Sequence, residues 1–192
     1  MTLKDINLKI ILDSRGKETL EAEMESGEFF TKASVPAGKS TGTHEAFVLE
    51  PKKALEKFQE IKPQILSASA SERISNQKDF DEFLISLDGT PSASSEQAKQ
   101  NLGGNLILSL SLAFARLKAK SENLELFQFI RNNFQFPISN FQSPHPIFNV
   151  INGGAHSSFP RESALSLRQS AFVEFQEFQV IPQVNDFNMA FS

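Results

Sequence analysis

The residues best placed by type and spacing to do chemistry lie in one stretch, Val35-Pro36-Ala37-Gly38-Lys39-Ser40-Thr41-Gly42-Thr43-His44-Glu45-Ala46. Glycines on either side of a hydroxyl pair let backbone amides approach an anion closely, and Ser40 can offer an oxygen to a hard cation. Gly38-Lys39-Ser40 invites a nucleotide P-loop reading, but that motif needs a glycine where Ala33 stands, so the reading fails. The competing structural reading is a surface turn between two elements. A second candidate is Glu177. By strand alternation it shares a face with Val173, Phe175 and Ile181, where a carboxylate is costly unless it points into a polar site.

Bulk composition narrows the function classes. The 192 residues are 40% hydrophobic and 22% charged, a globular composition with room for one large or one and a half ordinary domains. No apolar run approaches the ~18 residues a spanning helix needs. The N-terminus lacks the basic start, apolar core and cleavage site of a signal peptide, so a cytoplasmic location is expected. Net charge is −4 with no basic stripe, which argues against a nucleic-acid partner. Cysteine is absent, which removes disulfides, thiolate metal sites and a Cys nucleophile. With 19 Phe and neither Tyr nor Trp, aromatic burial falls to a side chain that needs no hydrogen-bond partner.

Elements that would position these residues can be read in order. Strands are expected at 8–12, 19–24 and 29–35, joined by the Asp13-Ser14-Arg15-Gly16 and Gly27 turns into an antiparallel meander. Ala54, Leu55, Phe58 and Ile61 recur at helical spacing, and Pro63 is expected to end or kink that helix near Ile61. A serine-rich link over 67–75 follows. A second helix, capped by Ser75 or Asn76 and faced by Phe80, Phe83, Leu84 and Leu87, stops at Asp88-Gly89-Thr90-Pro91. A long third helix is expected from Ser94 or Ser95 through Lys120, with Gly103, Gly104, Ser109 and Ser111 keeping its middle slim for helix packing. A short fourth spans 124–132. Two further strands, 146–151 and 171–181, are apolar on both faces, the signature of buried parallel strands under helices.

Several stretches together resemble the start of the enolase family, the phosphopyruvate hydratases. They are Asp13-Ser14-Arg15-Gly16; Val35-Pro36 with Ser40-Thr41-Gly42 and His44-Glu45-Ala46; Leu87-Asp88-Gly89-Thr90; and Leu102-Gly103-Gly104-Asn105 with Ser111-Leu112-Ala113. Further on, Pro146 to Val150 with Ile151-Asn152-Gly153-Gly154-Ala155-His156 is similar to the family's first barrel strand. Phe175-Gln176-Glu177-Phe178 with Ile181-Pro182 is similar to its second. The resemblance runs in family order from about residue 6 to residue 191. It implies an α+β lid domain over 1–137, a three-stranded antiparallel meander plus helices. The first two strands of an incomplete αβ (TIM-like) barrel would follow over 138–192.

By the same resemblance, the chemistry is interconversion of 2-phosphoglycerate and phosphoenolpyruvate with water, in glycolysis and gluconeogenesis. Two magnesium ions stabilise the dianionic intermediate. Ser40 matches the mobile-loop serine that ligates the second magnesium and closes over substrate. His156 matches a histidine that meets substrate, Gln176 is a candidate for orienting it, and Glu177 matches a carboxylate that handles the proton of the leaving hydroxyl. Glu21 matches a dimer-interface residue, so a homodimer or higher assembly is implied. His44 receives no role, and His145, before a proline, reads as structural.

The pattern also departs from the family. Ala37 and Lys39 stand where the usual loop run is Ser then Ala. His156 and Glu177 lie 21 positions apart, about twice the family spacing, and the stretch near 158–170 reads as a surface insertion. The first-magnesium carboxylates, the lysine base and its partner lysine, the phosphate arginine and the second acid are not among these residues. The resemblance therefore implies an N-terminal enolase portion truncated within the barrel, inactive or incomplete without the missing part. The alternative is a non-catalytic lid or dimerisation module, or a degenerate enolase fragment.

Overall fold

The structure, a computed structural model, describes residues 1–36, 38, 42, 45–89, 101–134, 146–152 and 177–182. The chain falls into two compact units, one of Met1–Ala37 with Gly42–Phe136 and one of Gly38–Thr41 with Pro137–Ser192.

The first unit opens with β1 (Asp5–Leu12), β2 (Glu18–Ser26) and β3 (Phe29–Ser34), an antiparallel meander in the order β1-β2-β3. Its register sets Ile6 opposite Met24, Leu8 opposite Ala22, and Ala22 opposite Ala33, which puts the apolar set on one face. Glu21, Glu23 and Glu25 take the other face, where Lys32, Lys9 and Lys4 pair with them. Gly27 turns the chain at φ 59°, a left-handed conformation that glycine adopts without strain.

Helices α1 (Pro51–Ala70), α2 (Gln77–Asp88), α3 (Gly104–Ser121) and α4 (Leu126–Phe134) follow. Leu20, Met24, Phe58, Ile65, Phe80, Leu84, Leu106 and Phe114 belong to a single core that the sheet shares with α1, α2 and α3. Phe80 stacks on Phe114 with ring centroids 4.3 Å apart. Each buried Phe removes a large apolar area from water, about 1.5–3 kcal/mol per side chain, and leaves no polar group to satisfy. A smaller cluster of Ala115, Ala119 and Phe129 seats α4 on α3. The outer edge of β3 is covered: Arg116 donates to the Lys32 carbonyl (2.7 Å), and Lys120 to that of Phe30 (3.2 Å). Basic side chains from α3 thus occupy acceptors that an open strand edge would offer to another chain.

Several expectations need correction. α1 does not stop near Ile61; it runs through Pro63 to Ala70. Pro63 and Gln59 lie on the exposed side, so water can solvate the carbonyl that the missing N–H releases, and the Gln64 side chain donates to the neighbouring Glu60 carbonyl at 3.3 Å. The serine-rich link is correspondingly shorter, and Ser69, within α1, accepts from the Leu3 amide at 2.8 Å. α3 begins at Gly104 rather than at Ser94 or Ser95, because Gly103 has φ 83° and cannot continue a right-handed helix; residues 90–100 lie outside the described residues.

The second unit contains a two-stranded sheet, β4 (Phe148–Asn152) and β5 (Glu177–Val180). The pair is antiparallel, not parallel as expected, and it is not apolar on both faces. Phe148 stands opposite Val180 and Ile151 opposite Phe178, whereas Asn149 stands opposite Gln179 and Asn152 opposite Glu177. A register shift between Asn149 and Ile151 makes this possible: Val150 is the extra residue of a bulge, so Phe148 and Ile151 share a face despite odd spacing. Ile151, Phe178 and Val180 are exposed, about half open to solvent. Residues 171–176 lie outside the described residues.

Candidate functional site

The stretch that holds Ser40 leaves and rejoins the first unit at two well-defined places. On the leading side, the Val35 amide donates to the Leu20 carbonyl at 2.9 Å. The buried Thr19 hydroxyl donates to the Val35 carbonyl at 2.7 Å. A shallow depression of about 480 Å³ lies here, lined in part by Leu12, Arg15, Thr19, Ser34 and Pro36. On the returning side, the Gly42 amide donates to the Glu45 carboxylate at 3.0 Å and the Glu45 amide to the Gly42 carbonyl at 3.3 Å, closing a turn. Next, the Gly104 amide donates to the Phe47 carbonyl at 2.6 Å. The Asn105 side chain accepts from the Leu49 amide at 3.1 Å and donates to the Leu49 carbonyl at 2.9 Å.

The motif blocks of the first unit therefore act as supports. Gly103 and Gly104 do not thin the middle of a helix; they let the segment 46–49 approach the start of α3. A Cβ on Gly103 would stand 2.8 Å from Leu49 Cγ, and one on Gly104 2.9 Å from Ala46 Cβ. Asp88 accepts from the Leu102 amide at 2.8 Å, which joins the Leu87-Asp88-Gly89 block to the same turn. In the β1–β2 turn, Asp13 accepts from the Lys17 and Arg15 amides at 2.9 and 2.8 Å and pairs with the Arg15 guanidinium at 3.0 Å. The Lys17 amide above all, then Arg15, holds its carboxyl below the usual carboxylate range. Glu21 accepts from the Ser34 hydroxyl at 2.8 Å and faces Lys32 at 3.4 Å.

In the second unit Glu177 begins β5, half-buried, on the face of Gln179, whose amide donates to its Oε2 at 2.8 Å. The sequence expectation of an acid among Val173, Phe175 and Ile181 therefore meets, within the described strand, a polar neighbour at the next position on that face. Opposite Glu177 stands Asn152, the last residue of β4, and paired residues of an antiparallel ladder have Cα atoms ~4.5–5.5 Å apart. Gln176 precedes Glu177 directly, and His156 follows Asn152 by four residues, a reach of at most about 14 Å. Sequence proximity thus links His156 to the Asn152 end of β4 and Gln176 to the Glu177 end of β5.

Ser40, His44, His145, His156 and Gln176 lie outside the described residues. Among the described residues no three His, Asp or Glu side chains converge to hold a metal, so they do not by themselves form a magnesium cage. The donor chemistry of Ser40, a single hard oxygen, suits one position in a magnesium shell otherwise filled by water, phosphate and carboxylates. Asn105 is the supporting residue that sequence reasoning missed. Its signal was present in Leu102-Gly103-Gly104-Asn105, but φ at Gly103 was needed to show that the glycines precede the helix.

The sequence profile described as "Enolase, N-terminal domain" matches residues 3–130. The chain is 34% identical over 182 residues to an enolase of Archaeoglobus fulgidus, covering 95% of this chain and 39% of that protein. It is 35% identical over 190 residues to enolase B of Dictyostelium discoideum, covering 95% of this chain and 38% of that protein. It spans about two-fifths the length of these relatives. No helix among the described residues is long and apolar enough to cross a membrane. With that profile matched over two-thirds of the chain and a three-stranded meander sharing one core with three helices, the chain belongs to the enolase family.

Proposed function

We propose that this chain is the N-terminal portion of a phosphopyruvate hydratase that interconverts 2-phosphoglycerate and phosphoenolpyruvate in the cytoplasm. Residues 1–137 are the lid domain, residues 138–192 open the barrel, and the stretch near 158–170 is an insertion. The observation that supports this reading is the register that pairs Asn152 with Glu177, with His156 four residues after Asn152 and Gln176 next to Glu177 in sequence. Glu177 holds and releases the proton at the leaving hydroxyl, with the Gln179 amide fixing one of its oxygens. Gln176 orients substrate, and His156 hydrogen-bonds its phosphate or carboxylate. Ser40 offers its hydroxyl oxygen as one ligand to the second of two magnesium ions, which when bound stabilise the charge of the intermediate. The first-metal carboxylates and the base lysine are not among these residues, so turnover requires the rest of the barrel, and the assembled enzyme is a homodimer or larger, with Glu21 at the interface.

The test separates the two halves of the reaction. In the assembled enzyme, Glu177→Gln is expected to lower phosphoenolpyruvate formation by about 10²–10⁴-fold, while exchange of the substrate's α-proton with solvent persists. Loss of both together, or of neither, would remove Glu177 from this role. A second reading, a non-catalytic lid or dimerisation module, is favoured by one observation: the first unit has its own core. An assembled protein that binds no 2-phosphoglycerate would decide for it.

A further inference from the structure

We propose that Asn105 is a positioning residue for the Ser40 stretch: through the backbone of Leu49 it fixes the point where that stretch rejoins the fold. The inference rests on the reading that Ser40 acts at the substrate site, and it names a residue outside that site as its support. Asn105 is 8% exposed. Its carboxamide satisfies both backbone groups of Leu49, at 3.1 and 2.9 Å, as a neighbouring strand would. The Gly104 amide adds a third bond, to the Phe47 carbonyl. Glycine at 103 and 104 is what allows this closeness, since a Cβ at either position would lie under 3.0 Å from Leu49 or Ala46. The leading end is different in kind. Val35 is held by Leu20 and Thr19 of β2, as a continuation of the sheet register. One end is therefore fixed by the sheet register, the other by the Asn105 side chain together with the Gly104 amide.

Trypsin provides a local readout, because Lys39 is the only Lys or Arg between Lys32 and Lys52. In the full protein, Asn105→Ala is expected to speed cleavage at Lys39 about tenfold and to cost the Leu49 amide a similar factor of exchange protection. Loss of two hydrogen bonds supports a change of that order. Amides in the interiors of α1 and α3 should keep their protection. Asn105→Asp retains an acceptor for the Leu49 amide and suits the first turn of a helix, but it cannot donate to the Leu49 carbonyl. It should keep Leu49 protected and cut at Lys39 at an intermediate rate. Wild-type exchange and cleavage in a folded Asn105→Ala protein would overturn the proposal. If Asn105→Ala loosens the whole fold, Asn105→Asp decides: faster cleavage at Lys39 supports the clamp, and wild-type cleavage overturns it. Should Ser40→Ala leave turnover unchanged while the Asn105 variants still release Lys39, the clamp stands and the functional reading falls.

Discussion

Two aspartates of α2 illustrate how opposite surroundings give opposite pH signs. Asp81 faces α3, where it accepts from Gln77 at 2.9 Å, and Gln77 also donates to Ser111. Burial raises its pKa above the ordinary 3.8, and hydrogen bonds from Ser111 and Gln77 offset only part of this. A raised carboxyl pKa weakens the fold as the group ionises. The penalty is absent below the ordinary value and complete once pH exceeds the raised one. Asp81→Asn should therefore raise the melting temperature at pH 7 and leave it unchanged at pH 3. Asp79 is the reverse case. The Ser75 hydroxyl first, then the Ser75 and Asn76 groups around it, lower its pKa, so its contribution is present above pH 3.8 and is lost as pH falls. The cap itself is Asn76, which accepts from the Asp79 amide at 3.0 Å. Asn76→Ala should cost about 1 kcal/mol in urea unfolding.

At the scale of elements, α1 and the turn before α3 make contrasting predictions. Pro63 sits in a helix interior with its freed carbonyl toward water. Pro63→Ala should stabilise the protein by about 1–3 kcal/mol, read as a higher urea midpoint at unchanged slope. Gly103→Ala should destabilise it by more than about 1 kcal/mol, because φ is 83° and the new Cβ would meet Leu49. These two sites also mark the limit of what local pattern reveals. The meander was legible because Leu20, Ala22 and Met24 alternate with Glu21 and Glu23, and Gly27 supplies the turn. Proline and glycine were visible as residue types, yet their effect depends on solvation around Gln59 and on the sign of φ at Gly103, which are tertiary properties. In β4 the bulge at Val150 hid a two-faced pattern inside an apolar run. Of the proposed site, the sequence offered Ser40, His156, Gln176 and Glu177 as residue types only; the pairing of Asn152 with Glu177 was not legible, because 24 residues separate the two strands in sequence.

For the whole molecule, the two units differ in how completely they bury their apolar surface. The first holds a continuous core in which Phe58, Phe80 and Leu84 are fully enclosed. The second displays Ile151, Phe178 and Val180 on one face of a two-stranded sheet, at 52%, 45% and 52% exposure. A two-stranded sheet contributes little stability by itself, and half-exposed apolar side chains invite association. Limited proteolysis should therefore cut within 138–192 before it cuts β1–β3 or α1, and Phe178→Ser should reduce binding of an apolar dye. First cleavage within the meander would contradict this. The central claim, that these residues belong to an enolase active site completed by a barrel, is tested most directly by complementation. The protein would be assayed for phosphoenolpyruvate formation from 2-phosphoglycerate with magnesium, alone and mixed with the remaining barrel portion of the Archaeoglobus fulgidus enolase. The account predicts activity in the mixture, none from the chain alone, and loss of that activity with Ser40→Ala or Glu177→Gln. Turnover by the chain alone, or silence in a mixture shown to assemble, would contradict it.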